Sequence, residues 1–92
     1  MENEPMYLFV YLTGDIARQA YEQETNRGYF ETEDAWLAFD FTEGIKVQSE
    51  FLMEWQAQAF AATDMDAETI WSMNSQQYRK SYNAALKKTM TT

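Results

Sequence analysis

A chain of 92 residues with 46% hydrophobic and 16% aromatic content holds enough apolar matter for one modest core and too little for two domains. Its net charge of −8 is unevenly placed: all fifteen acidic residues lie between Glu2 and Glu68 against three basic ones, a balance of −12, while the last 24 residues carry only Arg79, Lys80, Lys87 and Lys88. With neither cysteine nor histidine, disulfides, thiolate metal sites, cysteine nucleophiles and imidazole acid–base chemistry are excluded together.

The start, Met1 to Pro5, is acidic and polar rather than basic as in a secretory signal, and no apolar run approaches the ~18 residues of a membrane span. The expectation is a soluble, cytoplasmic protein with no membrane partner, or one in the host cytoplasm if phage-encoded. The run Met6 to Leu12, bounded by Pro5 and Gly14, is rich in aromatic and β-branched types and predicts a strand buried on both faces at the centre of a sheet. From Asp15 to Arg27 the stripe Ile16, Ala17, Ala20 and Tyr21 predicts a helix, with Gly28 supplying the left-handed residue that ends it.

Between Glu33 and Phe41 two readings stay open. Thr32 can cap a short helix, yet Leu37, Phe39 and Phe41 alternate with Ala38 and Asp40 as a strand does. The following Ile45 and Val47 alternate with Lys46 and Gln48, so a hairpin turning near Gly44, with strands at 36–42 and 45–48, satisfies both segments and is preferred. Tyr29 and Phe30 add a further short strand. Ser49 caps the next helix, 50–62, whose stripe runs Phe51, Leu52, Trp55, Ala59 and Ala62. Thr63, Asp64 and Asp66 then cap a short helix over 66–73. A break near Asn74 and Ser75 precedes a last helix over 75–88, carrying Tyr78, Tyr82, Ala85 and Leu86 on one stripe and fraying from Thr89. The sum is a single α+β domain, a small antiparallel or mixed sheet covered by helices on one face, whose other face is the natural contact surface.

Chemistry is sparse in this chain. Two carboxylates can cleave a glycosidic bond, but only in a cleft that buries one of them, and a domain of this size has little material for such a cleft. The alternating acids Asp64, Asp66 and Glu68 imitate the start of a calcium loop, whose turn glycine and final glutamate are replaced here by Thr69 and Ser75, so helix capping is their better account. No phosphate cradle is spelled by three isolated glycines. The expectation is a non-enzyme without cofactor or metal.

Binding is the remaining class. Glu22, Glu24, Glu31, Glu33, Asp34, Asp40, Glu43, Glu50 and Glu54 can form an array of negative charge that competes for a nucleic-acid-binding protein, since duplex phosphates recur about every 1.7 Å along the axis. A solvated surface that confers solubility is the plainer account of the same acids. Gln76, Arg79, Lys80, Lys87 and Lys88 suggest instead a helix that contacts nucleic acid, opposed by the −12 of the body, or a tail that pairs with the body of a second copy to give a homodimer. A structural or assembly subunit is the third class, favoured by fifteen aromatic residues in so small a core. In size, acidity and lack of catalytic groups the chain resembles, by composition alone, the small DNA-mimic inhibitors that phages and plasmids direct against host nucleases, restriction systems and CRISPR complexes. That resemblance implies a protein partner with a basic surface and no catalytic residue.

Overall fold

The computed structural model describes residues 6–43 and 47–90. Four strands, β1 (Leu12–Thr13), β2 (Arg27–Glu31), β3 (Trp36–Asp40) and β4 (Val47–Phe51), form one mixed sheet in the order β1-β2-β3-β4, with β1 parallel to β2 and the other pairs antiparallel. The helices are α1 (Gly14–Glu22), α2 (Glu54–Ala62), α3 (Ala67–Trp71) and α4 (Ser75–Met90). The α+β class and the strand reading of 36–42 therefore hold, and Tyr29 and Phe30 sit in β2. The turn expected at Gly44 lies outside the described residues. No helix among the described residues is long and apolar enough to cross a membrane.

Strand alternation sends β2 and β3 side chains to two cores. Tyr29 and Ala38 join Phe51 against α2, whose Ala57, Ala59 and Ala61 are fully buried and small enough to bring the helix close to the sheet. Phe30, Leu37 and Phe39 point the other way, onto Ala17 and Ala20 of α1. The expectation of helices on one face alone is thus corrected: α1 covers the second face over β1 and β2. Ile16 stands outside its expected stripe, 64% exposed.

The segment 6–12 is not a central strand. Only Leu12–Thr13 pairs, at the sheet edge, and the preceding residues run across the end of α2, where Leu8 bridges Thr63 and the Phe9 amide donates to the Ala62 carbonyl at 2.8 Å. An unbroken apolar run has no period to separate a buried strand from a segment that packs piecemeal, and Val10 is in fact 91% exposed. Gly28 does not end α1 either. The helix stops at Glu22, Glu24 (φ 58°) and Asn26 (φ 64°) take the left-handed positions, and the Thr25 amide donates to the Ala20 carbonyl. Gly28 belongs to β2, where a Cβ would collide with the Leu12 carbonyl oxygen, so its bareness is what lets β1 close on β2.

Ser49 is a strand residue, not a cap, and α2 starts at Glu54 after Met53, whose amide donates to Gln56 Oε1 at 3.1 Å. Phe51 consequently reaches the core from β4. Asp66 caps α3 as expected, Oδ1 accepting from the Thr69 amide at 2.9 Å, and the Thr69 hydrogen bonds hold its carboxyl below the usual carboxylate range. Asn74 and Gln77 exchange reciprocal hydrogen bonds, each amide donating to the other's side-chain oxygen at 2.9 Å, which starts α4 at the expected break. The helix then continues through Thr89 to Met90.

Candidate interaction surface

The sheet register divides the expected acidic residues between its two ends. Glu31 pairs in register with Trp36 and Phe51, so Glu31, the β2–β3 turn with Glu33 and Asp34, and the β4–α2 junction with Glu50 and Glu54 share one end. All five side chains are exposed. Arg27 pairs with Asp40 and Val47 at the opposite end, where the chain also places Glu22 and Glu24 before β2 and Glu43 after β3. Four strand steps of about 3.3 Å separate the ends, roughly 13 Å. That exceeds the Debye length of about 8 Å at physiological salt, so the two groups act as separate patches and not as one continuous row of charge.

Within the patches, individual acids have different duties. Glu54 Oε2 accepts from the Tyr29 hydroxyl at 2.9 Å and sits in the first turn of α2, where it also meets the positive end of the helix dipole. Asp40 is a partner of Arg27 rather than an open charge. Its Oδ2 lies 2.8 Å from Arg27 Nη2, and its Oδ1 accepts from the Thr42 amide at 3.0 Å and the Thr42 hydroxyl at 2.6 Å. The guanidinium, almost wholly buried, also donates to Thr42 Oγ1 and the Ala61 carbonyl and lies 3.8 Å from the centre of the Phe9 ring. This network locks the start of β2 to the end of α2 under the N-terminal segment. Charge counting on the sequence alone gave no sign of it, because nothing local distinguishes Arg27 from Arg18.

A groove of about 450 Å³ runs beside this network, lined by Phe9 to Leu12, Asn26, Arg27, Thr42 and Glu43, and a second of about 300 Å³ lies between β4 and the start of α3. The second is lined by the hydroxyl residues Ser49 and Thr63 beside Asp40, Asp64 and Asp66, and the Thr63 hydroxyl is taken up by the Ala59 carbonyl. Among the described residues no group of three or more acids is arranged to hold a metal ion.

On α4, Gln76, Arg79, Lys80, Lys87 and Lys88 are all exposed. At 100° per residue, Gln76, Lys80 and Lys87 fall within about 40° of one another and opposite the buried Tyr78 and Ala85. The helix therefore presents a polar and basic stripe to solvent. Its inner face stacks Tyr78 on Trp55, ring centres 5.6 Å apart, beside Tyr82.

The Tyr78 hydroxyl is buried and has no hydrogen-bond partner among the described residues. Burial, then the neighbouring Tyr82, holds its pKa above the usual phenol value of 10.0, and burial followed by the bond to Glu54 does the same for Tyr29. Both phenols stay protonated in the folded chain after their unfolded counterparts begin to ionise, so the stability these two groups contribute is fully present below pH 10 and is lost as pH rises beyond it. Tyr78→Phe is expected to raise stability at pH 7 by about 1 kcal/mol, by removing an unpaired hydroxyl, and to flatten the alkaline loss. Urea midpoints at pH 7 and pH 10.5 check both.

Comparison with protein-family models, curated proteins and solved structures gives no match to this chain.

Proposed function

We propose that this chain is a non-catalytic acidic interaction protein whose end bearing Glu31, Glu33, Asp34, Glu50 and Glu54 docks on a basic surface of a protein partner, and that the partner is a nucleic-acid-binding protein which it inhibits. The observation that carries the reading is the gathering of five exposed carboxylates at one end of the sheet, while Lys80 and Lys87 stand on a stripe of α4. Such a field steers a basic partner and repels nucleic acid, with an effect that falls as salt rises. The separate patches suit a partner with discrete basic sites better than one that reads a continuous row of phosphates.

The test is recovery of partners from a host lysate on the tagged chain at low and high salt, with and without duplex DNA. A nucleic-acid-binding protein displaced by both salt and DNA is expected, and Glu33→Lys with Asp34→Lys should weaken its retention at least about tenfold. Retention indifferent to the charge reversal overturns the proposal.

A second reading, a small nucleic-acid-binding regulator, is favoured by the outward stripe of Gln76, Lys80 and Lys87. Arg79→Glu with Lys80→Glu separates the two. It abolishes binding by a regulator and leaves an acidic-end inhibitor active.

A further inference from the structure

We infer that β4 is the pairing edge of a symmetric homodimer, in which two copies of Val47–Phe51 run antiparallel across a two-fold axis at Ser49 and join two four-stranded sheets into one of eight. The dimer sets Glu50 against Gln48 and so takes it from the acidic end, and it is tested on the chain alone, whether or not Glu31, Glu33, Asp34 and Glu54 bind a partner. β4 is the last strand of the sheet, and its outer edge has no backbone partner among the described residues. Val47–Phe51 itself holds no lysine, proline or bulge of the kind that commonly protects an open edge, and its one charge is Glu50.

The hydrogen-bond pattern shows which groups that edge offers. The Thr32 amide donates to the Ala35 carbonyl and the Phe41 amide to the Asn26 carbonyl, both at 2.8 Å, so these pairs are of the hydrogen-bonded type in the β2–β3 ladder. By alternation, residues 36, 38 and 40 turn their backbone groups toward β4 and meet 51, 49 and 47. Gln48 and Glu50 are left with N–H and C=O pointing outward. A two-fold at Ser49 sets Gln48 of one copy against Glu50 of the other, twice, in the hydrogen-bonded position, which satisfies all four amides and all four carbonyls of those residues.

The side chains agree with that register. Valine, glutamine, serine, glutamate, phenylalanine is apolar, polar, small, polar, apolar about its centre, the self-complementarity that an isologous interface demands. Val47 meets Phe51 of the second copy, an amide meets each carboxylate, and Ser49 meets itself with little bulk. Shifting the two-fold to Glu50 would set that carboxylate against its own copy. Beside the edge, Leu52 is 82%, Trp71 55% and Met53 54% exposed, apolar area that such a dimer would cover.

Sedimentation equilibrium of the full chain over a concentration series tests the inference. The mass should rise toward twice the 10.8 kDa of one chain. Gln48→Glu should weaken the dimer about 5- to 30-fold, because two like-charge pairs arise at the axis, whereas Gln48→Lys should tighten it by a similar factor. Gln48 is exposed on the sheet, where its Oε1 accepts from the Tyr21 hydroxyl at 3.2 Å, a surface bond that Gln48→Glu can keep and Gln48→Lys gives up, and circular dichroism verifies that both variants fold. A constant single-chain mass, a dimer indifferent to both variants, or one weakened by Gln48→Lys overturns the assignment.

Discussion

Phe39→Ala is expected to cost about 3–5 kcal/mol, measured as the shift in a urea unfolding curve, and so to remove much of the roughly 5–15 kcal/mol that holds a domain of this kind together. Phe39 has no exposed surface and lies next to the last residue of β3, where its ring centre is 5.3 Å from that of Phe41, 5.5 Å from Tyr21 and 6.4 Å from Phe30. Tyr21 stands on α1 and Phe30 on β2, so collapse around the cavity would require α1 and β2 to move together. A loss below 1 kcal/mol would show that α1 does not seal this face. Val10→Ser is the internal comparison, expected within about 0.5 kcal/mol because Val10 is almost wholly exposed.

Asp40→Ala should cost roughly 3 kcal/mol, the lower end of the range for breaking a buried pair, because its side chain keeps 28% exposure while that of Arg27 keeps only 9%. The loss comes chiefly from stranding the guanidinium, whose other partners are the Thr42 hydroxyl, the Ala61 carbonyl and the Phe9 ring. Arg27→Met with Asp40→Ala should therefore recover most of what the single change loses. Chemical denaturation of the two variants checks the sign. A double variant no more stable than Asp40→Ala would mean that the pair is held for its geometry more than for its charge. Asp40 consequently leaves the set of acids free to meet a partner.

Much of the fold was legible where a pattern had a period. Leu37 and Phe39 alternate with Ala38 and Asp40, and they occupy β3 as that alternation requires. Asp66 and the break at Asn74 announced two helix starts through side chains that can only serve backbone amides there. The misreadings fell where a residue suits two roles. Ser49 caps helices and also fits strands, Gly28 ends helices and also admits close backbone approach, and the run from Met6 to Leu12 has no alternation to weigh.

By itself the sequence determined the class of the fold, the absence of thiol and imidazole chemistry, and the separation of an acidic body from a basic last helix, since these follow from composition and local periodicity. Only the tertiary structure decided that the acids lie at two ends of the sheet, that Asp40 answers a buried Arg27, and that β4 stands at an open edge. Those features depend on strand order and register, which are set by pairing between residues far apart in the chain and leave no mark on any single stretch of it.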